Sequence, residues 1–222
     1  MKYHYIVPAV FCSRPNRFIA NVEIDGKPET VHVKNTGRCQ ELLVPGAQVY
    51  LERADRTGRK TKYDLVAVRK AGGALFNIDS MAPSQAVREW LEGKGFDKIV
   101  PEYKYGNSRI DFYMEKNGQR YLMEVKGCTL EINGTGYFPD APTDRGVKHL
   151  YELIRAVKEG YRAAAAFVIQ MDGVTQVQAN TDTHPAFGTA LEEAVAAGVE
   201  VLCLPCHVEP DSLCVVEQNI WL

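Results

Sequence analysis

The chain of 222 residues has no run of about 18–20 uninterrupted apolar residues, the length that a membrane-spanning helix needs. Its opening residues, Met1-Lys2-Tyr3-His4-Tyr5, lack the basic region, apolar stretch and small-residue cleavage site of a secretory signal. Internal repeats and low-complexity segments are missing as well. Six cysteines (Cys12, Cys39, Cys128, Cys203, Cys206, Cys214) fall without the spacing of a disulfide framework, as in a reducing compartment. These absences set aside membrane, secreted and disulfide-stapled classes, and the expectation is a soluble, cytoplasmic protein with no membrane partner. A surplus of positive charge is lacking too. Lys and Arg number 26 against 28 Asp and Glu, a net charge of −2, so any surface for nucleic acid has to be local. The densest basic stretch holds Arg53, Arg56, Arg59, Lys60, Lys62 and Arg69 with Asp55 and Asp64 among them, and alone it reads as a solvated loop. Cys203-Leu204-Pro205-Cys206 is a CxxC, with Cys214 as a further ligand if zinc were bound. No second CxxC exists, and the motif follows the apolar run Gly198-Val199-Glu200-Val201-Leu202. Free core cysteines at the end of a buried strand are therefore the better reading.

What is present is an ordinary globular composition, 45% hydrophobic and 24% charged, divided into two halves of different pattern. Up to Ser80 the chain reads as all-β, with strands at 18–24, 31–33, 47–52, 63–68 and 74–78. Turn-rich segments separate them: Asp25-Gly26, Pro45-Gly46, Asp55 to Gly58, and Gly72-Gly73. Five short strands suggest a small barrel of OB-fold size, with the arginine-rich segment at a loop tip. After Ser80 the pattern changes. Ser84 is placed to cap a helix ending at Glu92, with Gly93 beyond it, and strands follow at 99–103, 108–115 and 120–126. A helix over 143–159 carries Val147, Leu150, Tyr151, Ile154 and Val157 at helical spacing. A strand at 163–170, a helix at 185–197 and a strand at 199–204 complete a mixed sheet covered by helices. The expected fold class is α+β in two domains: residues 1–80 an OB-like barrel, residues 81–222 an α/β domain.

Asn117-Gly118 between two alternating runs is a strong hairpin signal. With those residues as a two-residue turn, Asp111 lies opposite Glu124 and Arg109 opposite Lys126. One face then carries Arg109, Asp111, Tyr113, Glu115, Arg120, Leu122, Glu124 and Lys126, and the other Ile110, Phe112, Met114, Tyr121, Met123 and Val125. Glu115 opposite Arg120 is a stabilising pair. Asp111 and Glu124 are like charges whose Cβ atoms would be about 4.5–5.5 Å apart, a destabilising arrangement unless a cation sits between them. Mg²⁺ suits one or two carboxylates plus waters and phosphate, and Lys126 on the same face could orient a water or balance transition-state charge. The bland alternative is a half-exposed hairpin salt-bridged through Arg109 and Lys126. Burial under helices tips the balance, because two unpaired carboxylates are expensive to desolvate.

Long segments resemble the sugar fermentation stimulation protein family. They are Ser108-Arg109-Ile110-Asp111-Phe112, Glu124-Val125-Lys126-Gly127-Cys128-Thr129-Leu130, and Phe138-Pro139-Asp140-Ala141-Pro142-Thr143-Asp144-Arg145-Gly146-Val147-Lys148-His149-Leu150. Arg14-Pro15-Asn16-Arg17-Phe18, Asn35-Thr36-Gly37-Arg38 and Glu41-Leu42-Leu43-Val44-Pro45-Gly46 match it too, so the likeness spans nearly the whole chain. The resemblance implies an N-terminal OB-like domain that binds nucleic acid and a C-terminal domain similar to PD-(D/E)XK nucleases. In that pattern Asp111, Glu124 and Lys126 are the catalytic residues, with Asp111 and Glu124 holding Mg²⁺ or Mn²⁺. It further implies largely non-specific DNA binding and a regulatory role in sugar (maltose) metabolism, while leaving open whether the chain cleaves anything.

Many nucleases of that type add an acid from the preceding helix. Glu102 is the available candidate, with Glu89 and Glu92 as alternatives. Thr143 is a natural N-cap, and Arg145, Lys148, His149 and Glu152 fall near one side of the following helix, away from Val147, Leu150 and Ile154. Arg145 and His149 are thus candidate contacts to nucleic acid at a helix N-terminus, and Asp140 and Asp144 read as turn and capping residues. Arg14, Arg17 and Arg38 offer guanidinium forks for phosphates, and Phe18 belongs either in the barrel core, the favoured place, or against a base. DNA is the expected partner, with RNA open to the same chemistry. Two further readings stay in view: a non-catalytic DNA-binding regulatory module that keeps the nuclease fold, and a hydrolase of small phosphorylated molecules.

Overall fold

The computed structural model describes residues 1–35, 37–54 and 58–216. Thr36 of the Asn35–Arg38 motif, and Asp55, Arg56 and Thr57 of the basic loop and its expected turn, lie outside the described residues. The N-terminal half forms β1 (Ile6–Asn16), β2 (Ile19–Ile24), β3 (Lys27–Val33), β4 (Gln48–Arg53) and β5 (Tyr63–Arg69). Their order is β3-β2-β1-β4-β5, and β3 returns to β5 in parallel through His32–Asp64 and Val33–Leu65, closing a five-stranded barrel. A sixth strand, β6 (Leu75–Asn77), adds to β5. The expected count of five holds, but the membership differs: β1 belongs to the barrel and the strand at 75–77 extends it. Pro8 and Pro15 lie within β1 and its register slips twice against β2, so no clean alternation marks it. Phe11, Val22, Val31, Val33, Val49, Leu51, Leu65 and Val68 fill the interior.

Phe18 is not in that core; it is 54% exposed. Asn16 Oδ1 accepts the N–H groups of Phe18 and Ile19, and this tight turn takes Phe18 out of the strand alternation. Three members of the basic stretch are paired. Arg59 forks onto Asp64, Lys62 reaches Glu29 at 3.6 Å, and Arg69 donates to Gln48, Tyr50 and the Gly73 carbonyl.

The second half begins with α1 (Ala82–Glu92), followed by β7 (Lys98–Tyr105), β8 (Ser108–Lys116), β9 (Gln119–Cys128), β10 (Leu130–Ile132) and β11 (Thr135–Phe138). Then come α2 (Asp144–Lys158), β12 (Arg162–Ile169), β13 (Val177–Ala179), α3 (Pro185–Ala196), β14 (Glu200–Glu209) and β15 (Ser212–Val215). Ser84 is not the cap of α1: the N-cap is Met81, Pro83 stands in the first turn, and Ser84 lies inside the helix. The main sheet runs β15-β14-β12-β9-β8-β7, with β9, β12 and β14 parallel and an antiparallel hairpin on each side. α1 covers one face over Phe112, Met114, Met123 and Val125. α2 and α3 cover the other, with Leu150, Leu153 and Phe187 on Ile110, Tyr113, Leu122 and Phe167. A small sheet of β10, β11 and β13, absent from the sequence reading, stands beside them.

The CxxC lies within β14, which runs past it to Glu209. Cys206 joins the core beneath α1 whereas Cys203 packs against the barrel-side core, so the two do not converge on one ion, and all six cysteines are free. The barrel and the sheet meet just past the end of β12. Gln170 donates to the Asn77 carbonyl, to Asn77 Oδ1 and to the Asp79 carbonyl, while its own carbonyl accepts Asn77 N–H. Gly127 makes room for it, since a Cβ there would stand 2.2 Å from Gln170 Oε1. No helix among the described residues is long and apolar enough to cross a membrane.

Candidate metal and nucleic-acid site

The hairpin forms as its turn residues dictate. Asn117 and Gly118 both take positive φ, 50° and 77°, the signature of a type I′ turn. The ladder runs from Lys116–Gln119 to Phe112–Met123 in the expected register. It stops one pair short of Asp111 and Glu124. There Asp111 Oδ2 accepts the Val125 N–H at 2.7 Å, so a side chain takes the place of a ladder bond and the strands part. Across β7, Glu102 stands between the pairs Pro101–Phe112 and Tyr103–Ile110 with a left-handed φ of 52°. That residue breaks the in–out alternation. Val100 and Tyr103 both reach the α2 side of the sheet, and so do Ile110 and Tyr113 on β8. The expected apolar face is corrected accordingly: Ile110 lies under α2, while Phe112 and Met114 lie under α1.

Glu124 sits at the centre, 4% exposed and paired across the sheet with the small Ala165 of β12. Its Oε1 takes two donors, Lys126 Nζ at 2.5 Å and His149 Nδ1. Its Oε2 is buried with no hydrogen-bond partner. Such an orphaned oxygen costs about 1–3 kcal/mol, and more for a charged group. Burial pushes the Glu124 carboxyl up, but the hydrogen bond from His149 and the positive charge of Lys126 outweigh it, and the group is held below its ordinary value. Asp111 goes the other way, from 3.8 to about 6, raised by burial and by the charge of Glu124, against the Val125 hydrogen bond and Lys126.

His149 is buried, 3% exposed, rather than on the solvent side of its helix. The inward stripe of α2 is Gly146, His149, Leu150, Leu153 and Ala156, while Tyr151, expected inside, is 46% exposed. Gly146, where a Cβ would meet Thr143 and Phe187 of α3, and Ala156 lie on the same inward face as His149, Leu150 and Leu153. Thr143 caps α2 as expected, its Oγ1 accepting the Gly146 N–H at 3.0 Å. Arg145 is exposed in the first turn, with its Nε 3.5 Å from His149 Nε2. A neutral imidazole protonated on Nδ1 satisfies both contacts, donating to Glu124 and accepting from Arg145.

Glu102 lies on a strand, not a helix, and its exposed side chain stands 3.9 Å from Arg109. Its charge still helps to raise Asp111. Glu89 and Glu92 lie on the exposed side of α1, Glu92 beside Arg88 at 3.4 Å. Asn107, Ser108, Arg109, Asp144, Arg145, Lys148 and His149 line an open hollow of about 390 Å³ over this end of α2.

Arg14, Arg17 and Arg38 line a second, half-open cleft of about 570 Å³ together with Leu43 and with Ala141 and Pro142 of the segment leading into α2. Arg14 spends both Nη atoms on the carbonyls of Arg17, Asn35, Gly37 and Arg38, so it shapes the cleft and offers charge rather than a free fork. Arg17 and Arg38 are exposed. Gly37 lies against Asp140, whose Oδ2 would be 2.2 Å from a Cβ there. The loop between β3 and β4 is thus seated on the segment that carries α2.

Among the described residues no three His, Cys, Asp or Glu side chains are arranged as a full metal cage. The donors do fit a hard cation that keeps most of its water: a bare buried carboxylate oxygen on Glu124, and a second carboxylate at Asp111 that resists ionising without a cation nearby.

A family model described as "Sugar fermentation stimulation protein RE domain" matches residues 81–212, and one described as "SfsA N-terminal OB domain" matches residues 12–78. A sugar fermentation stimulation protein homolog of Desulfitobacterium hafniense is 53% identical over 216 residues, covering 96% of this chain and 94% of its own length. One from Clostridium beijerinckii is 51% identical over 217 residues and covers 96% of both. Among solved structures, SfsA of Pyrococcus furiosus in complex with Ca²⁺ superposes with a TM-score of 0.83 over 98% of each chain at 28% identity.

Proposed function

The chain belongs to the sugar fermentation stimulation protein family, and on that premise we propose that it is a largely sequence-non-specific DNA-binding protein with a Mg²⁺- or Mn²⁺-dependent phosphodiesterase site at Asp111, Glu124 and Lys126, resembling the PD-(D/E)XK nucleases and serving the regulation of sugar (maltose) metabolism. The observation that carries it is Glu124, whose Oε1 is doubly held while Oε2 is buried and bare. A relative of the same fold has been solved with Ca²⁺, another oxygen-seeking cation, which supports the reading. When bound, a cation here supplies Lewis-acid polarisation of a phosphate and a more acidic water. Asp111 and Glu124 would hold it. Lys126, fixed by Glu124 at 2.5 Å, places positive charge where phosphate charge builds up. Arg145 and Lys148 line the adjoining hollow and take the flanking phosphates, while Arg17 and Arg38 grip the strand further along, beside the exposed ring of Phe18.

Incubation with single- and double-stranded DNA and RNA, with Mg²⁺ or Mn²⁺, tests the reading. Metal-dependent cleavage is expected, and Asp111→Ala and Lys126→Ala should abolish it. Salt-sensitive binding that is the same in both variants, with no products, would sink the catalytic part. It would favour the second reading, a non-catalytic DNA-binding module. That reading draws on Glu102, which points to solvent, and on Lys126, which is already clasped by Glu124.

A further inference from the structure

Glu124 is presented asymmetrically: two donors converge on Oε1 and none reaches Oε2. Lys126 comes from the same strand two residues along, on a long side chain with several rotatable bonds. His149 comes from a different element, is 3% exposed, and sits on a helix seated by the Thr143 cap and by Leu150, Leu153 and Ala156. A ring fixed in that way sets the carboxylate plane more firmly than a flexible lysine does. Arg145 Nε–H lies 3.5 Å from His149 Nε2, a contact that suits a ring protonated on Nδ1, where Glu124 needs a donor.

We propose that His149 is a positioning residue, not a contact to nucleic acid: its Nδ1–H turns Glu124 so that Oε2 faces a divalent cation, and Arg145 keeps the proton on that nitrogen. The inference rests on the metal-site reading and assigns the pair Arg145–His149 to it. Groups that orient a ligand from behind are typically worth 10–100-fold in metal affinity.

The test is calorimetric titration of Mn²⁺ into the full chain, with the unmodified protein compared with His149→Asn, His149→Gln and His149→Leu. The asparagine amide can stand where Nδ1–H stood, the glutamine amide falls where Nε2 stood, and leucine keeps bulk without a donor. His149→Asn is expected to bind within a few-fold of the unmodified chain, and His149→Gln and His149→Leu about 10–100-fold more weakly. Equal affinity in all three variants would overturn the inference, as would an asparagine variant as weak as leucine, since the ring would then act by packing alone. If His149→Leu does not fold, the asparagine–glutamine contrast decides. No Mn²⁺ binding by the unmodified chain would overturn the metal-site reading itself, a different outcome from equal affinities.

Discussion

Among the described residues two clusters of carboxylates, one in the barrel around the buried Asp64 and one in the sheet around the buried Glu124, are built on opposite plans. In the barrel, Asp64 is 5% exposed and fully engaged: Arg59 forks onto both oxygens at 2.9 and 2.5 Å, His32 Nδ1 lies at 3.0 Å and Lys34 Nζ at 3.8 Å. Burial raises its pKa, but the bonds from Arg59 and His32 and the charge of Lys34 bring it below the ordinary value. Lys34 also reaches Asp79 at 2.8 Å, tying β3 to the segment before α1. In the sheet, Glu124 keeps one bare buried oxygen and Asp111 is pushed up to about 6. A closed network holds a fold together. An open one leaves a carboxylate oxygen bare and a neighbouring carboxyl hard to ionise.

The sharpest contrast is one of sign. Asp111→Asn is expected to stabilise the metal-free chain at pH 7 by up to about 3 kcal/mol, because it removes a carboxylate that the fold resists ionising, whereas Asp64→Asn should destabilise it. Urea denaturation of both variants checks this, and a loss of stability in Asp111→Asn would erase the distinction. The pH dependence follows the same signs. An acid raised in the fold favours the native state as pH falls from about 6 towards 3.8, so the Asp111 contribution to metal-free stability grows on acidification. The Asp64 contribution is fully present above its ordinary 3.8 and is lost as pH falls through its lower folded value.

Cation should reverse the penalty at the open cluster alone. At a concentration of Mn²⁺ about 100 times its dissociation constant, native stability should rise by about 2.7 kcal/mol. The rise should vanish in Glu124→Gln and persist in Arg59→Ala, which thermal melts with and without metal would show. Arg59→Ala itself should cost about 2 kcal/mol, the range for hydrogen bonds to a charged group, and leave cation affinity unchanged. The smallest effect belongs to the helix that carries His149. Thr143→Ala removes the N-cap bond of α2 at about 1 kcal/mol, and it should weaken cation binding slightly while leaving the barrel cluster untouched. Equal damage at both clusters would mean that the two are coupled through the body of the protein.

Much of the fold was legible because its signals are local. Asn117-Gly118 specified a type I′ hairpin and with it the register from Lys116–Gln119 to Phe112–Met123. Thr143 announced α2, and the strands from β2 to β5 stood out by alternation. β1 stayed hidden because two prolines and two register slips blur its pattern, although its pairing with β2 and β4 completes the barrel. Phe18 was misread because apolar character was weighed above the tight turn made by Asn16. Of the site, Asp111, Glu124 and Lys126 were readable as a triplet on one hairpin. The parting of the strands at Asp111 was not, since it depends on the Asp111 carboxylate taking the Val125 N–H in place of a ladder bond.

The sequence by itself determined the turn and the register of the hairpin as far as Phe112–Met123, because those depend on residues within about a dozen positions of one another. Only the tertiary structure decided that α2 turns His149 inward rather than outward, that two donors share a single oxygen of Glu124, and that the other oxygen is left bare. Those outcomes follow from how α2 seats Leu150, Leu153 and Ala156 on the sheet and packs Gly146 against Phe187 of α3, a balance of packing and desolvation that no short segment encodes alone.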